Sequence, residues 1–179
     1  MSDTLRMMEV VDSLAQVSDL EGACQVLVSS PALGRPFHAA SIGLVDDHAH
    51  LSEMARYNMP GLPQDFWHLR LWQESALSHI LVNNQPTVVH RGLFDSLHPD
   101  IRHDWSANPF EAVWVVPVVE RGVPYGCIFL FSREAIHSVD LEESHRDMLT
   151  TAVKLLLRSH EWRHGLHPVD NSDSHQRAS

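Results

Sequence analysis

Two runs constrain this chain more than anything else in it: Ala112-Val113-Trp114-Val115-Val116-Pro117-Val118-Val119 and Tyr125-Gly126-Cys127-Ile128-Phe129-Leu130-Phe131. Both are almost wholly apolar, and rich in β-branched and aromatic residues. A strand with one wet face alternates apolar and polar residues; these two do not, so both of their faces must be covered. Glu120-Arg121-Gly122-Val123-Pro124 between them reads as a turn. The runs therefore predict a hairpin at the centre of a sheet that carries a layer on each side. Pro117 cannot donate to a ladder and predicts a bulge or a change of sheet.

The flanking sequence supplies the layers. Residues 3–17 predict a helix, with Leu5, Met8, Val11, Leu14 and Ala15 at helical spacing and Ser2 or Asp3 as its cap. A second helix follows from Leu20 to Ser29 and stops before Pro31. Residues 39–45 and 51–57 read as two strands joined by the turn Asp46-Asp47-His48, and 58–63 as a loop. Gln64 to Trp72 reads as a short, aromatic, partly helical piece. Residues 75–82 predict a helix and 86–89 a short strand. Residues 91–110 read as a long loop with one helical turn, and structured loops of that length are often functional. Asp140 caps a last helix reaching Trp162, with Met148, Ala152, Leu155 and Trp162 on one stripe and Leu149, Val153 and Leu156 beside it. One domain, 3–162, is expected, followed by a polar, disordered tail over 163–179.

Composition removes whole classes of function. The net charge of −10 repels phosphate backbones and no basic cluster offsets it, so no direct nucleic-acid partner is expected. No apolar run approaches the roughly 20 residues of a membrane span. The first residues do not resemble a secretory signal, which makes the cytoplasm the default location. Two cysteines, Cys24 and Cys127, make no disulfide framework and read as buried thiols. Among the 14 histidines, His48 and His50 at the Asp46-Asp47 turn and His160, His164 and His167 at a helix end are local clusters. Neither supplies a converging tetrahedral set, so no metal is expected. A nucleophile elbow, a P-loop and a dinucleotide fingerprint are all missing.

The element order resembles that of a GAF domain, and three stretches carry the resemblance. Ser75 to Val89 resembles the family's helix leading into a strand, Val113 to Ser132 its central hairpin, and Asp140 to Arg158 its terminal helix. The resemblance implies an α/β (α+β) fold, with an antiparallel sheet flanked by helices on both faces and long N- and C-terminal helices. It also implies a ligand pocket between the sheet and the helix-loop segments on one face. Dimerisation through the first and last helices is implied as well. The signal-binding domain of LuxR-type regulators is similar in layout. Tyr57, Trp67, Trp72 and Trp105 resemble its aromatic pocket, although Glu74-Ser75-Ala76 stands where that family has an Asp-Pro pair. No helix-turn-helix follows residue 162, so no DNA-reading output is expected in this chain.

Tyr57, Phe66, Trp67, Trp72, Trp105 and Trp114 lie in the segments that would enclose such a pocket, and aromatic walls with polar edges suit ligand sites. Arg56, His90 and Glu111 are the candidate polar partners. Each of the nine also has a plain structural reading, as core filler or as a solvated strand end. Some GAF domains bind haem through a histidine, which here would be His79 or His137; haem is not expected. Bilin attachment needs a suitably placed cysteine, and Cys127 sits mid-strand. The Asn-Lys-Phe-Asp-Glu signature of cyclic-nucleotide binders is missing. The expectation is a small-molecule sensor without catalysis or resident cofactor, acting as a regulatory module such as the sensory part of a transcriptional regulator. The alternative is a dimerising adaptor whose pocket is filled by Trp114 and Phe129. A GAF-type redox enzyme, such as a methionine sulfoxide reductase, comes third and requires Cys127 to be an exposed thiolate.

Overall fold

A computed structural model describes residues 2–33, 37–63, 67–101 and 103–164. Its centre is a six-stranded antiparallel sheet, β1 (Ala39–Val45), β2 (His50–Tyr57), β3 (His68–Arg70), β4 (Thr87–His90), β5 (Ala112–Glu120) and β6 (Val123–Ser132), in the order β3-β2-β1-β6-β5-β4. The double-sided apolar hairpin is indeed β5–β6, deep in the sheet. Parity along its strands assigns the faces. Trp114, Val116, Ile128 and Leu130 join one core with Ala40 and Ile42, and Val113, Val115, Cys127, Phe129 and Phe131 join the other with Ala39.

Three helices cover the first face: α1 (Asp3–Gln16), α2 (Leu20–Ser29) and α4 (Glu143–His164). They bury Met7, Val10 and Leu14, then Leu20, Ala23, Cys24 and Leu27, then Leu149, Val153 and Leu157. The second face is covered by α3 (Ala76–Val82) and by 3-10 turns at Arg91–Ser96 and Trp105–Ala107. The helices start where their caps allow. Ser2 Oγ accepts from the Leu5 amide at 3.3 Å, Asp19 Oδ1 from Gly22 at 2.7 Å and Ser75 Oγ from Ser78 at 3.1 Å. Where β1 and β6 meet α4 there is no room for a side chain. A Cβ on Gly126 would lie 2.6 Å from the Gly43 carbonyl oxygen and 2.8 Å from Leu157 Cδ1.

Four expectations need correction. His68–Arg70 is an edge strand rather than part of a helical piece, paired to β2 through Leu51↔Leu69. Its geometry is fixed by groups remote in sequence: Arg70 N and Nε donate to Asp100 Oδ2 at 3.1 and 3.0 Å, and His98 Nε2 donates to the Arg70 carbonyl at 2.8 Å. The last helix begins at Glu143, so Asp140 is not its cap. The loop over 91–110 holds two 3-10 turns, not one helical turn. Pro117 pairs with Cys127, and the irregularity lies one step on, between Val118 and Val119. β4 pairs only with residues 112–115, so one edge of β5 is already without a partner strand at Pro117 and the missing N–H is tolerated there. The polar tail expected from residue 163 has its first two residues in α4, and 165–179 lie outside the described residues.

Candidate functional site

The face expected to hold a ligand is filled by the protein's own rings. Trp67 stacks on Phe129 with centroids 4.0 Å apart and planes 11° from parallel. Phe110 leans on Phe131 at 5.0 Å, and Phe94 meets Trp105 edge-on at 4.6 Å. All six side chains are buried in one cluster.

The nine candidate residues are therefore not brought together. Trp67 and Trp105 belong to this closed core. Trp114 is on the opposite face, stacked with Phe37 at 6.1 Å, and Tyr57 is half-buried against the helix-side core. Arg56 is engaged structurally: Nε donates to Glu53 Oε1 at 2.6 Å and Nη1 to the Leu62 carbonyl at 2.7 Å, which ties down the loop after β2. Burial pushes the Glu53 carboxyl up, against the opposing hydrogen bonds from Ser41 and Arg56. His90 is exposed beside His137, at 5.9 Å between rings. Glu111 is exposed, 3.7 Å from Arg91. Phe66 lies outside the described residues. Of the eight described candidates, Trp72 alone borders the large open cleft.

That cleft, of about 580 Å³, sits at the turn end of the sheet. α3 contributes Ser78, Leu81 and Val82, and the segment before it Leu71 and Trp72. The β1–β2 turn brings Asp46, Asp47 and Ala49, the β5–β6 turn Glu120, Val123, Pro124 and Tyr125, and α4 adds Glu161. Local chemistry fixes each wall. Asp46 Oδ1 accepts from the His48 and His50 amides, both at 2.9 Å, and these bonds hold its carboxyl low against the opposing effect of burial. Arg121 and Gly122, at φ 51° and 77°, make the two left-handed residues of a tight hairpin turn. Ser78 Oγ bonds the carbonyls of Leu71 and Gln73 at 2.9 and 3.0 Å, which holds the segment bearing Trp72 onto α3. His50 meets the Trp72 ring edge-on at 4.7 Å.

The cleft is bonded directly to the terminal helix. Tyr125 donates its hydroxyl to Glu161, Arg158 donates to Glu120, and Lys154 Nζ donates to the Val119 carbonyl at 3.2 Å. Burial, then the bond to Glu161, raises the Tyr125 phenol above its ordinary range. The Arg158 bond holds the Glu120 carboxyl below its own. Tyr125, Glu120 and Glu161 escaped the sequence reading because strand and helix partners 36 and 38 residues apart leave no periodic mark. Asp46 and Asp47 stand out in the sequence only as a turn and as neighbours of the His48 and His50 cluster weighed for a metal.

A second open surface lies on the far side of α4. Val11, Leu14 and Ala15 of α1 face Met148, Ala152 and Leu155 of α4 across an apolar groove of about 610 Å³. Leu5, Met8, Leu155 and Trp162 are large apolar side chains left at least half exposed. Both thiols are fully buried, and burial raises Cys24 and Cys127 well above the ordinary thiol range. No described helix is long and apolar enough to cross a membrane.

No protein-family model matches this chain, and no curated protein matches it. Solved structures do. The GAF domain of an Acinetobacter phosphoenolpyruvate-protein phosphotransferase is 17% identical, covering 95% of this chain and 100% of its own, with a TM-score of 0.60. A bacteriophytochrome from R. palustris is 16% identical over 93% of this chain and 40% of its own, with a TM-score of 0.56. A type II free methionine-R-sulfoxide reductase from Thermoplasma acidophilum is 15% identical over 88% of this chain and 96% of its own, with a TM-score of 0.53. The antiparallel sheet order, the helices on its two faces and these likenesses together establish that this chain has the fold of a GAF domain.

Proposed function

We propose that the chain is a small-molecule sensor whose ligand occupies the cleft between α3, the two hairpin turns and α4, and whose output is the arrangement of the terminal helices. One observation carries this reading: Glu120 and Tyr125, which line the cleft, are the residues that hold α4 through Arg158 and Glu161. A ligand touching them has different contacts in two positions of α4, which is what a population shift requires. The chromophore-binding bacteriophytochromes among the structural neighbours support a sensing use of the fold.

The outer groove of α1 and α4 supports a homodimer, with a second copy covering Leu5, Met8 and Leu155. A transcriptional regulator is one setting in which such a dimer would serve. We read the module as working without a resident cofactor and without catalysis. His79 is exposed and lies 3.5 Å from Glu74, a poor position for an axial haem ligand. The buried thiols lack the exposure that a reductase chemistry at Cys127 would need, and they suit a reducing compartment such as the cytoplasm.

The filled aromatic face favours one second reading, a dimerising adaptor without ligand. Trp67 and Phe129 do the filling, while Trp114 faces the helices. Native mass spectrometry of the purified chain separates the two readings. A sensor gives extra mass that leaves on denaturation and is lost in Trp72→Ala, and both readings give a doubled mass that Leu155→Glu halves. A dimer that carries no adduct, and whose α4 amide exchange is unchanged by a metabolite library, would overturn the sensor in favour of the adaptor. A monomer at every concentration would overturn the homodimer.

A further inference from the structure

The cleft carries charge that its hydrophobic floor does not explain. Leu71 and Leu81 form the floor, while Trp72, Val82 and Val123 stand on the rim, each more than half exposed. Folding does not leave three large apolar side chains in water around one opening without cause, and such patches mark binding sites. Around the same opening stand four carboxylates, Asp46, Asp47, Glu120 and Glu161, and among the described residues no lining residue is Lys, Arg or His.

Neighbouring cations only partly offset them. Arg158 is bonded to Glu120, Lys154 is bonded to the Val119 carbonyl, and both act on the Glu120 charge together with Arg121 of the same turn. His50 Nδ1 lies 3.6 Å from Asp46, and its ring packs against Trp72. Among the described residues Asp47 has no ion-pair partner. With Glu120 set against Arg158 and Asp46 beside His50, the charges of Asp47 and Glu161 remain at the opening, where a bound anion meets repulsion. A cation with an apolar body satisfies every wall at once. Its carbon skeleton covers Leu71 and Leu81, and its charge sits among the carboxylates and against the electron-rich face of an exposed indole.

We propose that the cleft binds a small organic cation, an amine or quaternary ammonium group on an apolar body, held by Trp72, the Asp46-Asp47 turn and Glu161. This rests on the reading of the cleft as the ligand site, and names the chemistry of what it takes. A recess of about 580 Å³ suits a ligand of one or two rings' size rather than a folded partner.

Three near-isosteric probes test it: phenethylamine, 2-phenylethanol and 3-phenylpropionate, titrated calorimetrically into the full chain at low salt. The amine is expected to bind about tenfold more tightly than the alcohol, with the carboxylate weakest. Asp47→Asn and Glu161→Gln should each weaken the amine about threefold to tenfold and leave the alcohol unchanged. Both variants preserve the fold, since Asp47 is exposed and a glutamine still accepts the Tyr125 hydroxyl; circular dichroism checks this. If the alcohol or the carboxylate binds as tightly as the amine and Trp72→Ala abolishes it, the cation is wrong while the cleft stands. If no probe binds, or if binding survives Trp72→Ala and Val82→Arg unchanged, the cleft itself is not the site and both readings fall.

Discussion

Trp67→Ala tests the closure of the aromatic face, on which the location of the ligand site depends. The ring is buried, lies flat on Phe129 at 4.0 Å and tilts against Phe131 at 6.2 Å. Truncating a buried Trp to Ala removes its transfer energy and leaves a cavity, together about 3–5 kcal/mol, of which about 0.5–1.5 belongs to the ring pair. Domains of ordinary stability have about 5–15 kcal/mol in total, so the variant should still fold. At roughly 2–4 °C per kcal/mol for a chain of this size, the melting temperature should fall by about 6–20 °C. Urea unfolding followed by circular dichroism reads the loss directly, and Trp67→Phe, which keeps a ring on Phe129, should lose less. Indole should then stabilise Trp67→Ala beyond whatever it adds to the parent protein, the excess growing with the logarithm of its concentration. A loss below about 1 kcal/mol, or equal stabilisation of the parent by indole, would refute the argument. The aromatic face would then be open in solution, and the ligand would belong there instead of at the turn end.

Gly126→Ala should destabilise by about 1–3 kcal/mol in the same urea assay, because the new methyl meets the Gly43 backbone oxygen, which cannot move aside cheaply; a neutral result would mean that β1 and β6 sit farther apart. Tyr125→Phe removes the donor to Glu161 and should lose about 0.5–1.5 kcal/mol, with faster amide exchange confined to the last turns of α4; uniform exchange along α4 would contradict the tether. Asp100→Asn should flatten the acid limb of the stability curve. The Arg70 guanidinium, ahead of the other influences, holds the Asp100 carboxyl well below its usual range. Its contribution is therefore complete above the unfolded value of about 3.9 and is lost as pH falls through the lower folded value. Thermal melts from pH 6 downward should converge for parent and variant at the acid end, and parallel curves would show that the pair contributes nothing pH-dependent.

What could be read without coordinates was what repeats locally. The β5–β6 hairpin is legible because no half-exposed strand tolerates its composition, and parity then sorts Trp114 and Phe129 onto opposite faces. β3 is not legible: three residues carry too little alternation, and its strand geometry is set by Asp100 and His98, about 30 residues away. The terminal helices mislead for another reason. α1 has two apolar stripes one residue out of phase, Met7-Val10-Leu14 against the sheet and Leu5-Met8-Val11-Ala15 outward. α4 repeats the pattern, with Leu149-Val153-Leu157 inward and Met148-Ala152-Leu155 outward. Periodicity shows that a helix is amphipathic, but when both stripes are apolar it does not say which one meets the sheet. The proposed cleft is the least legible part. Trp72 was among the candidates, but the cleft is assembled from two turns, a short helix and the end of α4, joined by side chains that share no spacing.

The doubled stripes and the cleft belong to one mechanical arrangement. Gly126, bare of a side chain, lets Leu157 settle against β6, and the adjacent Tyr125 reaches Glu161, four residues and about one turn further along α4. One short piece of β6 thus grips the last two turns of the helix at two points, while Arg158 between them holds the neighbouring strand at Glu120. Leu155, on the outer stripe, projects from the same stretch toward the groove where a second copy would sit. On the proposed reading a ligand that displaces Tyr125 from Glu161 need not send its effect through the filled core. It acts on the helix turn it touches, and the dimer surface begins within two turns of that point. A core packed solid with aromatic rings is then useful, because it keeps the sheet stiff while the helix end moves against it.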